Sequence, residues 1–216
     1  MRTLAGIFRT GITSTAATLT AIVTLTTLGT IGIFATLAAP AHADTDRTIP
    51  SWEGRAVIRL NGGVSFPIGN FGYAFNTGFG FGGSVGYGVS RDVLLSWAIA
   101  YHSFEFSRDQ EIDWSVTPMT FNADYRIPTN GSFAPWVGGG LGLYRVSREA
   151  RVGGPDGEIV DEDFNNFGLN FGMGIGVPLS EKAVLGTGFK FHYVAGDEEI
   201  IDTPFVTYQV GVGFIL

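Results

Sequence analysis

Cysteine is absent from all 216 residues. That excludes disulfides, a thiolate metal site and the acylated cysteine of a lipoprotein. Basic charge is also scarce, with 13 Lys and Arg against 20 Asp and Glu. All the acidic residues and 11 of the basic ones follow residue 43, so that part carries 11 − 20 = −9 with His neutral. A chain of that sign lacks the basic face that phosphate binding needs, which argues against nucleic acid as a partner. Beyond residue 43 no apolar run approaches the length of a spanning helix, so any structure crossing a membrane there has to be a closed barrel. What the chain does have is 32 glycines together with 18 phenylalanines. Glycine-rich disordered chains do not carry so many aromatics.

Residues 1–43 read as a targeting segment. Arg2 and Arg9 give a basic start, Ala21–Ala39 is apolar, and Ala41-His42-Ala43 has the small-x-small form of a cleavage site ahead of Asp44. A retained membrane anchor is the alternative, because the apolar stretch is long for a signal. Residues 44–54, with Pro50, read as a short flexible lead-in on the periplasmic side.

From residue 55 the chain repeats one pattern, an apolar or aromatic face alternating with a small or polar one. This period of two predicts strands over Arg55–Phe66, Gly78–Val89, Val93–Phe106, Ser115–Ile127, Ala134–Val146, Asn166–Val177, Ala183–Val194 and Phe205–Leu216. The sixth is the clearest: Phe167, Leu169, Phe171, Met173, Ile175 and Val177 alternate with Gly168, Asn170, Gly172, Gly174 and Gly176. Each segment is long enough to cross a bilayer, which takes about 9–11 tilted residues. Eight is an even count, as barrels require.

The connections alternate in length. Ser90–Asp92, Pro128–Phe133 and Pro178–Lys182 are short and rich in turn residues. Pro67–Thr77, Ser107–Trp114, Ser147–Asp163 and Ala195–Pro204 are longer. A barrel inserted from the periplasm has short turns on its entry side and long loops outside. In a soluble up-and-down barrel such as a lipocalin, the apolar face would point inward and the other outward. The second face here is Gly, Ser, Asn and Thr with few charges, a poor water-exposed exterior but a good filling for a narrow lumen. The expectation is all-β: an eight-stranded antiparallel up-and-down transmembrane β-barrel over residues 55–216.

The chain's last segment puts Val206, Tyr208, Val210, Val212, Phe214 and Leu216 on one face. With the Pro135-Trp136-Val137-Gly138-Gly139-Gly140-Leu141-Gly142 run and the glycine-alternating sixth strand, it resembles the small outer-membrane β-barrel domain family (OmpX-, OmpA- and OmpW-like). The resemblance covers residues 55–216. It implies residence in the cell outer membrane and a last strand read by the barrel-assembly machinery, with Tyr208, Val210, Val212, Phe214 and Leu216 as the insertion signal. Leu216 stands where that family most often ends in Phe or Trp. No second, peptidoglycan-binding domain is expected after the eighth strand.

Aromatics near strand ends suit interfacial girdles. Tyr87, Trp97, Tyr125, Trp136 and Phe214 would lie at the periplasmic level; Phe66, Phe79, Tyr101, Phe167, Tyr193 and Tyr208 at the outer one. Arg59, Asp124, Arg126 and Lys190, with His102 and His192, fall on the lumen face. Charges in so narrow a space need partners. Asp124 is expected to pair with Arg59, Arg126 or Lys190 and plug the lumen, with a gated small pore as the alternative. Lipid A modification would need His and Ser to cooperate near the outer leaflet, but His102 and Ser103 are adjacent and point to opposite faces. The long loops are acidic: Asp109, Glu111 and Asp113; Asp156, Glu158, Asp161, Glu162 and Asp163; Asp197, Glu198, Glu199 and Asp202. Their spacing lacks the Gly and closing Glu of a calcium loop, so a solvated surface is expected.

The function expected is a structural or surface-interaction barrel, no enzyme and without cofactor or resident metal. Its expected partners are outer-membrane lipid and lipopolysaccharide, and its expected state is a monomer. A narrow channel or transporter for small apolar solutes is the alternative, and a lipid A-modifying enzyme the remote one.

Overall fold

A computed structural model of the protein describes residues 49–106, 112–152, 158–196 and 202–216. The expected signal segment lies outside them, as do Asp109, Glu111, Asp156, Asp197, Glu198 and Glu199 of the acidic loops. Eight antiparallel strands form a closed barrel in sequence order. They are β1 (Ala56–Pro67), β2 (Gly78–Gly88), β3 (Val93–Glu105), β4 (Ile112–Arg126), β5 (Ala134–Val152), β6 (Glu158–Ser180), β7 (Ala183–Val194) and β8 (Phe205–Ile215). The last strand returns to the first, from Val57↔Ile215 to Pro67↔Phe205, so neither has a free edge. That pairing is what a sheet in hydrocarbon requires, since no water is there to satisfy an edge.

The period-two pattern sorts cleanly between the faces. Leu60, Phe81, Tyr87, Leu95, Phe121, Leu141, Phe167, Phe171, Met173 and Phe214 are exposed on the outer wall. The alternating residues Ser65, Ser96, His102, Asn122, Asp124, Asn170, His192 and Thr207 are buried inside. The barrel is greasy outside and polar within, the inverse of a soluble barrel.

Two features depart from the sequence reading. First, β5 and β6 run far past the expected ends at Val146 and Asn166. Beyond the outward pair Leu143↔Phe167 the ladder continues for nine more pairs, from Tyr144↔Asn166 to Val152↔Glu158. At about 3.3 Å per residue the hairpin extends on the order of 30 Å along the strands. The charges that read as a solvated loop hold it together across the strands. Arg148 pairs with the directly opposite Glu162 at 2.5 Å, and Arg145 with Asp163 at 2.5 Å on the diagonal. The outward residues next above Leu143 and Phe167 are Arg145 and Asn165, so the apolar belt stops there and the hairpin lies outside the membrane. Beside Arg145 and the Ser147 hydroxyl, the Asp163 carboxyl is held below the usual carboxylate range, so this contact persists at neutral pH and is lost as pH falls through that lowered value.

Second, the first long connection contains a six-residue helix, α1 (Gly69–Ala74). Gly69 enters it at φ +59°, a left-handed conformation that glycine adopts without strain. Ile68 N–H donates to the Pro204 carbonyl at 3.1 Å, tying this connection to the start of β8. The apolar pair Phe71 and Phe75, at i and i+4, turns down into the barrel mouth.

The inner wall needs glycine at specific positions. Trp136 faces the lumen, and a Cβ added at Gly174 would lie 2.9 Å from its ring and would overlap the Thr187 carbonyl. The same ring lies 3.0 Å from the position of a Cβ at Gly188. Gly174→Val is therefore expected to abolish folding. The check is gel migration of unheated membrane-extracted protein, where the compact fast band of a folded small barrel should disappear while wild type keeps it.

Candidate functional site: the filled lumen

From the outer mouth inward, the lumen begins with a dry aromatic lid. Phe71, Phe75, Phe104, Trp114, Val116, Tyr144, Val146, Val194 and Phe205 form one buried cluster. Phe71 sits at its centre, edge-on to Phe104 at 5.1 Å and tilted against Trp114 at 5.8 Å. Phe104 in turn meets Phe205 edge-on at 5.3 Å. These contacts bring together the α1 connection, β3, β4 and β8, so the lid ties down the loop that supplies its keystone.

Beneath the lid lie two histidines. His102 Nδ1 is 2.9 Å from the Ser65 hydroxyl, which is 3.3 Å from that of Thr207. His192 stacks on Phe205 at 4.6 Å, and its Nδ1 is 3.1 Å from the Tyr144 hydroxyl. The rings are 5.4 Å apart. Ser103 lies on the opposite face of β3 from His102, so the two do not share a site.

The charged layer comes next. Arg59 pairs with Asp124 at 2.5 Å and donates to Ser84 at 3.2 Å and Ser96 at 3.1 Å. These contacts link β1, β2, β3 and β4 across the lumen. Lys190 projects from β7 into the same cavity as Arg59 and Asp124, but among the described residues no carboxylate lies within 4.0 Å of it. Arg126, expected as one of three candidates for Asp124, is instead held at the periplasmic end. It reaches Asp92 in the β2–β3 turn at 3.1 Å, the Pro50 carbonyl at 2.7 Å and the Arg91 carbonyl at 2.5 Å. Arg126 ends β4 at the level of that turn, which puts Asp92 nearer than Asp124.

The periplasmic mouth is closed by the lead-in, read from sequence as flexible. Trp52 lies over the Arg126 guanidinium at 4.5 Å and packs on Val57, Leu94 and Ile215. Backbone bonds from Trp52 to Arg91 at 3.3 Å and from Gly54 to Gly88 at 3.0 Å fasten it to β2 and the turn. Proline and polar residues suggested mobility; the single tryptophan, with an arginine to stack on, overrides them.

A family model described as the outer membrane protein beta-barrel domain matches residues 30–215. The chain belongs to this family. It is a protein of the cell outer membrane. Solved barrels agree on the fold: Neisserial surface protein A has a TM-score of 0.59 at 17% identity, covering 75% of this chain and 99% of that one. Ail, the attachment invasion locus protein of Yersinia pestis, has a TM-score of 0.53 at 16% identity, covering 76% and 99%. A second Ail structure, in complex with the heparin analogue sucrose octasulfate, has a TM-score of 0.51 at 20% identity with the same coverage. No curated protein sequence matches the chain.

For an outer-membrane barrel, the outward residues face lipid. Tyr87, Trp97, Tyr125, Tyr193, Tyr208 and Phe214 all lie on that wall, as do Val210 and Val212 along β8, and Leu216 just past its end is exposed. Trp136 does not. Expected in the periplasmic girdle, it points inward because it stands at an even position of β5, in register with Gly174 and between Ala134 and Gly138 on the lumen face. Its place near a strand end suggested a girdle, although the alternation of Val137, Leu141 and Leu143 with Gly138, Gly140 and Gly142 sets it on the lumen face. The sequence reading also missed Phe71, Ser65, Tyr144 and Asp92. Of these, only the i, i+4 spacing of Phe71 and Phe75 carried a usable signal.

Among the described residues, the Arg59–Asp124 pair is the one ion pair that spans the mid-lumen. Asp124→Ala would leave Arg59 without its paired carboxylate and remove the negative charge nearest the surplus on Lys190, at a cost of about 3 kcal/mol. The urea midpoint of the folded barrel in lipid is expected to fall accordingly; an unchanged midpoint would show the pair to be dispensable.

Proposed function

We propose that this outer-membrane protein is a non-conducting, non-enzymatic barrel that works through its external surface. The observation carrying the reading is that the lumen is obstructed at three levels while the β5–β6 hairpin stands clear of the membrane. The obstructions are the aromatic lid, the Arg59–Asp124 crossing and the Trp52–Arg126 stopper. The hairpin has 42–54% exposure at its ion-paired arginines and is stiffened by their cross-strand contacts, so it presents a shaped ridge rather than a loose loop. Its non-enzymatic character is supported by the separation of His102 and Ser103 and by the engagement of His102 with Ser65.

The external face is acidic, with Asp113, Asp161, Glu162, Asp163 and Asp202 among the described residues. Ail has been solved with a heparin analogue, a polyanion. The opposite charge here favours contact with basic partners, and with lipopolysaccharide through its sugars rather than its phosphates. The protein acts as a monomer, with β8 serving as the segment that the assembly machinery reads.

A second reading, passage of small apolar solutes, has one observation in its favour. The β3–β4 ladder is interrupted between Ile99↔Met119 and His102↔Val116, opposite Pro118, which has no N–H to give. Cavity-lining Ala98 and Ala100 lie beside this break. Planar-bilayer recording separates the readings in part: purified protein is expected to insert without discrete conductance steps, and regular steps would contradict a closed lumen. Uptake of a small apolar fluorophore into liposomes completes the test. Proteoliposomes are expected to match empty vesicles, and faster uptake would favour passage.

A further inference from the structure

Between the lid and the stopper the lumen holds a cavity of about 160 Å³. A cavity of about 150 Å³ in an apolar protein core accommodates a benzene ring, so this one has room for a small organic molecule. Its charge does not balance. Arg59 and Lys190 contribute two positive charges and Asp124 one negative, Asp124 is already engaged by Arg59 at 2.5 Å, and Arg126, also on the wall, is matched by Asp92. A buried surplus charge is costly unless something pairs with it.

The cavity wall also holds an unused donor position. His102 is only 4% exposed; its Nδ1 faces the Ser65 hydroxyl and its Nε2 is buried without a partner. A carboxylate at Nε2 selects the tautomer with the ring proton there, in which Nδ1 accepts from the Ser65 hydroxyl. Asn122 spends its NH2 on Thr120 and shows an unpartnered acceptor, so it offers an anion nothing. Away from the charges the wall turns apolar, with Trp136, Ala98 and Ala100.

We propose that this cavity is a binding site for a small carboxylate with an apolar body. The carboxylate meets the Lys190 ammonium and His102 Nε2, and the body lies against Trp136, Ala98 and Ala100. One bound monoanion brings the layer of Arg59, Lys190 and Asp124 to neutrality. The aromatic lid blocks the outer route, and the cavity reaches Ile49 and Trp52 at the periplasmic mouth, so the ligand enters there by displacement of the lead-in. The site does not depend on the external surface role: a conducting barrel would overturn that role and leave this site standing.

The test is calorimetric titration of the full protein, purified from outer membranes in detergent, with benzoate and with benzyl alcohol as its neutral counterpart. Empty micelles give the partition background. Benzoate is expected to bind saturably and at least roughly tenfold tighter than benzyl alcohol, the difference made by one charge-assisted contact. Lys190→Met, which keeps the bulk of the side chain and removes the surplus charge, should lose benzoate binding while still migrating as a folded barrel. Ala98→Leu keeps every charge and fills the cavity, and should lose it as well, which protects the test if Lys190→Met does not fold. Equal binding of the two probes, binding that survives either folded variant, or no benzoate binding above the micelle background would each overturn the proposal.

Discussion

Everything in this molecule depends on the seam between its first and last strands. In hydrocarbon an unpaired backbone N–H or C=O has no water to turn to, so a sheet survives there only when it has no edge. The eleven partners from Val57↔Ile215 to Pro67↔Phe205 remove the last edge. Once the seam is closed, the two faces have separate solvents, and the alternation of residues follows from that division rather than from local propensity. Leu, Phe, Tyr and Met stand outward against lipid; the inner face must be small enough for eight strands to close and polar enough to bond within itself.

Closure also creates a packing problem, and the inner face solves it by exchanging bulk for its absence. Trp136 fits because Gly174 and Gly188 leave the space its indole needs. The outer mouth is filled by side chains from the first connection and five strands, with Phe71 at the centre. Polar groups that cannot reach water reach each other: Ser65 with His102, Tyr144 with His192, Arg59 with Asp124. Exceptions remain, among them His102 Nε2 and the Asn122 amide oxygen, and the Lys190 ammonium has no carboxylate within 4.0 Å among the described residues. A largely filled lumen and an unbalanced charge in the cavity it leaves are thus two products of the same construction.

The barrel itself was legible because its signals are repetitive. Eight alternating segments, connections that alternate short and long, and a glycine-rich second face all report the same division of solvents. What the sequence did not disclose was local or pairwise. Arg148, Glu162 and Asp163 fell in an expected loop, and Arg145 near the expected end of the fifth strand, because only the register shows that opposite charges face one another. Trp136 looked like an interfacial anchor because it is an aromatic near a strand end, but its face follows the alternation of β5 and not its level. Arg126 was offered Asp124 when the turn residue Asp92 was nearer, and Trp52 was passed over because one aromatic in a polar stretch carries no period. Pairing partners, unlike faces, are set by three-dimensional proximity, and a period of two contains none of that information.

The register of the seam is directly measurable because the chain has no cysteine of its own to compete. Leu60 and Val212 are direct partners across β1 and β8, both on the lipid-facing wall. In outer membranes under mild oxidation, the double variant Leu60→Cys with Val212→Cys should form an intramolecular disulfide. Leu60→Cys paired with Val210→Cys or with Phe214→Cys, each displaced by two positions, should stay reduced. Cross-linking of a displaced pair in preference to the direct one, or of none of the three in folded protein, would contradict the closed barrel described here.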